Sequence, residues 1–102
     1  MQILWSERAF ERRRAVEDYI LLSFGYKAYS EFVEKVDEWK SCVIKNPEIG
    51  REEPLLIGMR KKYRSYVIGN LSKCIYYVEG EFIVIADWWD TRRSISNLKR
   101  GI

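Results

Sequence analysis

Histidine is missing altogether from this chain of 102 residues. Its absence removes the usual nucleophile–base pairs, the common zinc sites and the one side chain that ordinarily titrates near neutral pH. Cysteine is scarce. Cys42 and Cys74 stand far apart, each inside an apolar helical or strand pattern, so buried free thiols are expected in place of a disulfide. No hydrophobic run approaches the length of a membrane span. The start, MQILWSERAF, lacks the basic-then-apolar pattern of a leader, and a cytoplasmic protein is expected. Repeats and low-complexity tracts are absent, and nothing in the sequence calls for a metal or a cofactor.

What is present is a foldable core with uneven charge. A hydrophobic share of 47% and an aromatic share of 15% favour a globule over a disordered tail. The length suits one domain, residues 1–102, with a single core. Residues 1–50 hold eight Lys/Arg against nine Asp/Glu, a net of −1, whereas residues 51–102 hold ten against six, a net of +4. The excess gathers in two runs: Arg60, Lys61, Lys62 and Arg64, then Arg92, Arg93, Lys99 and Arg100. Clustered positive charge of this kind fits a polyanion or an acidic protein partner. Arg12, Arg13 and Arg14 fan around a helix instead of sharing a face, and a solvated position is expected for them.

Periodicity gives the architecture. Residues 2–5 form a short strand. Ser6 is a hydroxyl N-cap for a helix over 7–24, with Ala9, Phe10, Val16, Tyr19, Ile20 and Phe24 on its apolar face. Gly25 ends it. A second helix over 27–46 carries Tyr29, Phe32, Val33, Val36, Trp39 and Val43 at spacings of three and four, and Asn46-Pro47 stops it. A loop with Pro54 then leads to an edge strand. Three β-branched and aromatic runs follow, around Val67-Ile68, 74–78 and 82–86, separated by turn residues at Gly69-Asn70 and Glu79-Gly80-Glu81. The expected fold is two-layer α+β, in the order β-α-α-β-β-β, with a helical hairpin packed on a small, mainly antiparallel sheet.

The end of the last strand carries Asp87, Trp88, Trp89 and Asp90, followed by Thr91-Arg92-Arg93. One tryptophan is expected to pack on the helices and the other to face outward as an interface anchor beside the arginines. An Arg–Asp pair that orients this tip is a better account of Asp87 and Asp90 than a magnesium site. Glu52 and Glu53 read as solvated loop carboxylates.

Several pieces, in order, resemble the RelE/ParE superfamily of bacterial toxins from type II toxin–antitoxin modules. They are Trp5-Ser6 with the helix after it, Asn46-Pro47-Glu48-Ile49-Gly50, Glu53-Pro54-Leu55-Leu56, Tyr63-Arg64-Ser65, Lys73-Cys74-Ile75-Tyr76-Tyr77 and Trp89-Asp90-Thr91-Arg92-Arg93. The Asp90-Thr91-Arg92 ending looks most like the ParE-like branch. The resemblance implies a growth-inhibiting protein of the plasmid-stabilisation kind, held inactive by an acidic antitoxin in a hetero-oligomer. ParE-like members poison DNA gyrase, while RelE-like members cut messenger RNA on the ribosome. For cleavage, Arg64, Lys73 and Arg92 match the family's basic positions, where fixed cations would stabilise charge building on phosphorus. Partner or anion binding is expected at Arg60, Lys61, Lys62, Trp88, Arg92 and Arg93. RelE-like enzymes often place tyrosine or histidine in the C-terminal segment to move a proton; here that segment, DTRRSISNLKRGI, has neither. Glu52, Glu53, Tyr63 and Tyr66 are the substitutes on offer. A binding toxin is therefore the preferred reading, with the ribonuclease and a non-toxic basic interaction module as alternatives.

Overall fold

A computed structural model of the chain describes residues 1–69 and 72–91. Strand β1 (Gln2–Trp5) leads through Ser6 into helix α1 (Glu7–Phe24), whose first turn is capped by the Ser6 hydroxyl accepting from the Ala9 N–H at 3.0 Å. Only Gly25 separates α1 from α2 (Tyr26–Lys45). It adopts φ 91°, a left-handed value that a side chain would resist, and so reverses the chain within one residue. Strand β2 (Arg51–Glu52), a 3-10 turn at Pro54–Leu56 and strands β3 (Arg64–Ile68), β4 (Ser72–Glu79) and β5 (Phe82–Asp90) complete the order.

The sheet runs β1-β5-β4-β3-β2. Strand β1 lies parallel to β5, and every other pair is antiparallel. The expected α+β two-layer fold, with residues 2–5 in the sheet, is the one found. Strands β4 and β5 are longer than their apolar runs suggest, because pairing continues through Ser72 and Asp90. Opposite Ile75 and Tyr76, β5 contributes Asp87 and Ile85 respectively, which leaves Ala86 as an extra residue in a bulge. The Ser6 hydroxyl donates to the Ala86 carbonyl there at 3.0 Å, so the bulge is fastened to the start of α1.

Two apolar layers result. Between helices and sheet lie Val16, Ile20, Phe32, Val36, Trp39, Val43, Tyr76, Ile83, Ile85 and Trp88. Trp88 is 0% exposed, with ring centroids of Trp5, Phe32 and Trp39 at 5.7, 6.3 and 6.5 Å. The opposite face holds a smaller cluster of Leu56, Tyr63, Ile75 and Trp89. Both tryptophans are thus buried, one in each layer, which corrects the expectation of an outward-facing anchor at Trp88 or Trp89. The second layer exists because residues 53–63 fold back over that face.

Two helix-face assignments also change. Phe10, Tyr19 and Phe24 are exposed, because α1 meets the sheet along the narrower stripe of Ala9, Val16 and Ile20. Cys42 is exposed, since α2 turns Trp39 and Val43 inward on either side of it; Cys74 is buried as expected, and burial, aided by the nearby Asp87 charge, pushes its thiol well up. No helix among the described residues is long and apolar enough to cross a membrane.

Phe32 closes the helical side of the core against Trp88, so Phe32→Ala is expected to cost about 3–5 kcal/mol in denaturant unfolding. Ile57→Ala, at an exposed site, should stay within about 0.5 kcal/mol. A Phe32→Ala loss below about 1 kcal/mol would contradict this packing.

Candidate macromolecule-binding surface

The basic positions singled out by sequence lie on two faces of the sheet. Arg64 stands directly across from Tyr76, and Tyr76 points into the helix-side core. Its guanidinium donates to the Gly50 carbonyl at 2.8 Å, with the Glu48 carboxylate 3.9 Å away. The same turn is tied down by the Tyr76 hydroxyl, which accepts from Gly50 N–H at 2.8 Å and donates to the Pro47 carbonyl at 2.9 Å. Gly50 is required there, because a Cβ would sit 2.7 Å from the Tyr76 oxygen and 2.8 Å from the Ser65 carbonyl oxygen. The Asn-Pro-Glu-Ile-Gly segment thereby aims Arg64 into an open cleft of about 480 Å³, lined also by Asn46, Pro47, Glu48, Lys62 and Val78.

Lys73 is on the other face, under the strap formed by residues 53–63. Its ammonium donates to Glu53 Oε1 at 3.0 Å and stands 2.7 Å from Oε2 as an ion pair. Glu53 is 1% exposed, so the solvated loop carboxylate of the sequence reading is a buried ion-pair partner. Burial on its own would raise its carboxyl. Hydrogen bonds from Lys73 and Ser65, the Lys73 charge and the Leu55 N–H outweigh that and hold it below the ordinary 4.5. The strap closes at its base, where Glu53 N–H donates to the Tyr63 carbonyl at 2.9 Å. At its far end Lys61 reaches Glu79 at 2.6 Å and lies over the Tyr77 ring at 5.3 Å. Arg60 and Lys62 stay exposed on the strap, with Ile57 and Met59 beside them.

Arg64 and Lys73 therefore do not share one anion-binding surface, and Lys61 is paired with Glu79 at the surface. Trp88 belongs to the core. Arg92 and Arg93 lie outside the described residues. Of the proton-transfer candidates, Glu53 is held ionised against Lys73, burial pushes the Tyr63 phenol up, and Tyr66 packs against the helix-side core. Glu52 is exposed at the β2 edge.

Asp87 is in an Arg–Asp pair as the sequence suggests, but the arginine comes from a different element. Asp87 is fully buried and accepts from Arg12 Nη1 through both oxygens, at 2.9 and 2.8 Å, with Arg8 Nε at 3.5 Å. Its arginine partners among the described residues come from α1, and Arg12 is an anchor instead of a solvated residue. The signal was weak because Arg12 and Asp87 stand 75 positions apart. Only the pairing of α1 with the β5 bulge brings them together.

The Glu53–Lys73 pair carries a pH signature. A carboxyl whose folded value is depressed adds stability that is complete above its unfolded value and is lost as pH falls through the folded one. Stability should therefore drop as pH is lowered below about 4.5, with a shallower drop in Glu53→Gln. At neutral pH that variant should lose about 2 kcal/mol, because Lys73 keeps only a neutral partner. An unchanged acid limb in Glu53→Gln, followed by urea titration, would contradict the pairing.

No protein-family model matches the chain, and neither does any curated protein sequence. Solved structures do. The chromosomal ParDE TA system from P. aeruginosa contains a chain that superposes with a TM-score of 0.68 at 17% identity, over 88% of this chain and 95% of that one. A YoeB/ParE toxin from Agrobacterium tumefaciens gives 0.61 at 18% identity, over 88% and 98%. The YoeB dimer from Staphylococcus aureus gives 0.59 at 24% identity, over 87% and 94%. Nearly the full length of each chain superposes, so the chain has the fold of those ParE and YoeB structures.

Proposed function

We propose that this protein is the toxin of a type II toxin–antitoxin pair and arrests growth in the cytoplasm by binding a large target, of which DNA gyrase is the favoured one. The likeness to ParE and YoeB structures supports the toxin reading. The binding mechanism is carried by one observation: Lys73 and Glu53, two of the candidates the sequence offers for phosphoryl chemistry, are paired with each other beneath the strap. Cleavage needs a free base within reach of the attacking hydroxyl and cations converging on one phosphate. The antitoxin in this reading is an acidic segment that covers the exposed Arg60 and Lys62 together with Arg92 and Arg93.

A ribosome-dependent endonuclease is the second reading. The cleft at Arg64 favours it, because Lys62 and Arg64 line an opening with room for a nucleotide phosphate. A non-toxic interaction module is the third.

Induction of the chain alone, with DNA and protein synthesis followed by labelled precursors, separates the three. DNA synthesis is expected to stop first, and purified ribosomes with messenger should show no cuts. Arg92→Ala should relieve the arrest. Ribosome-dependent cuts by the unaltered chain, weakened about a hundredfold by Arg64→Ala, would establish the nuclease instead. The antitoxin complex should weaken as salt rises and on Arg60→Glu/Lys62→Glu, because exposed charges supply part of the attraction. Tight binding unaffected by either change would place the antitoxin elsewhere.

A further inference from the structure

At the cleft beside the end of α2, the turn's own acceptors are mostly spent on internal bonds. The Asn46 carbonyl accepts from the Ile49 N–H at 3.0 Å, and the Asn46 side-chain oxygen from the Glu48 N–H at 3.2 Å. The Pro47 carbonyl accepts from the Tyr76 hydroxyl, and the Gly50 carbonyl from Arg64 Nη1. Carbonyls that would otherwise disfavour an anion at a helix C-terminus are thereby occupied. Three donors remain on residues that line the cleft: the Asn46 amide NH2 group, Arg64 Nη2 and the Lys62 ammonium. Lys62 is exposed and enters no ion pair among the described residues.

The Arg64 guanidinium is already fixed in place. Its side chain is only 17% exposed, and Nη1 donates at 2.8 Å to the carbonyl of Gly50, whose N–H is itself held by the Tyr76 hydroxyl. A side chain ordered in this way loses little freedom when it binds. Glu48 is a poor match for these cations. Its carboxylate stands 3.9 Å from Arg64 Nη2, too far for a hydrogen bond, and its side chain is 80% exposed. One cation is thus loosely balanced and the other is unmatched, so a monoanion from this chain does not complete the site. A phosphate dianion with three terminal oxygens matches the two cations in charge and the three donors in number. The opening of about 480 Å³ exceeds what a bare phosphate needs and lies in the range of small-ligand sites. Pro47 and Val78, which is 42% exposed, supply an apolar wall for the organic part.

We infer that this cleft is a binding site for a small organic phosphate monoester, held by Lys62, Arg64 and Asn46, with Glu48 as the internal anion that the ligand displaces. The inference concerns binding without cleavage and does not rest on the toxin reading. It shares its cleft with the nuclease reading, whose own readout is the cutting of messenger.

Isothermal titration calorimetry on the full chain, made by cell-free synthesis, tests it with ribose 5-phosphate, adenosine 5′-monophosphate, inorganic phosphate and adenosine. Both monoesters are expected to bind at a single site, inorganic phosphate more weakly and adenosine not at all. Lys62→Ala, at an exposed position that the fold does not need, should weaken monoester binding by about tenfold or more, because a charge-assisted hydrogen bond is lost. Glu48→Gln should tighten it by about twofold to fivefold, since an exposed competing ion pair is removed. Lys27→Ala, which removes an exposed cation at the other end of α2, should leave it unchanged. No saturable binding of either monoester overturns the inference. So does binding that Lys62→Ala leaves intact, or that Lys27→Ala weakens as strongly, since diffuse surface charge would then account for it. A glutamate-rich peptide that binds through Lys62 and Arg64 where the monoesters fail would give the cleft to an acidic protein partner and would equally overturn it. Monoester binding without ribosome-dependent cuts sustains the inference and removes the nuclease reading alone, whereas cuts without monoester binding remove the inference alone.

Discussion

A single buried carboxylate fixes how the two layers meet. Asp87 has no exposure, and Arg12, Arg8 and the Trp88 N–H surround its carboxylate. An ion so deeply placed would be costly without those partners. The requirement ties α1 to one point on β5, the bulge at Ala86, which Ser6 grips from the adjacent helix start. One residue later, Trp88 enters the core among Trp5, Phe32 and Trp39. Helix position, sheet irregularity and core packing thus converge on two consecutive residues.

The opposite face has a comparable anchor. Glu53 and Lys73 pin the base of the strap, and Leu56, Tyr63, Ile75 and Trp89 fill the space beneath it. A face that would otherwise expose β4 and β5 becomes a second small core. The exposed cations Arg60 and Lys62 are thereby carried on a braced support and not on a bare loop. Arg64 is held separately, by the Asn46–Gly50 turn at the end of α2, and shares one cleft with Lys62 of the strap.

The fold was legible in the sequence because its signals are local. The spacing from Tyr29 to Val43, the Gly25 break and the β-branched and aromatic runs at 74–78 and 82–86 each act within a few residues. Where two neighbouring signals compete, the reading fails. Phe10 and Phe24 follow the helical period, yet the sheet is too narrow to cover them. Cys42 sits in an apolar run but between the two inward positions. The site was less legible, because its pairs are distant: Arg12 with Asp87, and Glu53 with Lys73. No spacing rule relates residues that a sheet brings together, and an arginine seen among neighbouring acids looks solvated. Pro47 and Gly50 were visible as punctuation, but their purpose, a turn that aims Arg64, depends on Tyr76 from the next hairpin.

The account stands most directly on the Arg12–Asp87 contact. Urea unfolding of Arg12→Met, Asp87→Asn and the double variant gives their coupling free energy. A value of about 2 kcal/mol or more is predicted, since each single change strands a partner of a buried charge. Additive losses, with coupling below about 0.5 kcal/mol, would mean that this pair does not hold the helical layer on the sheet.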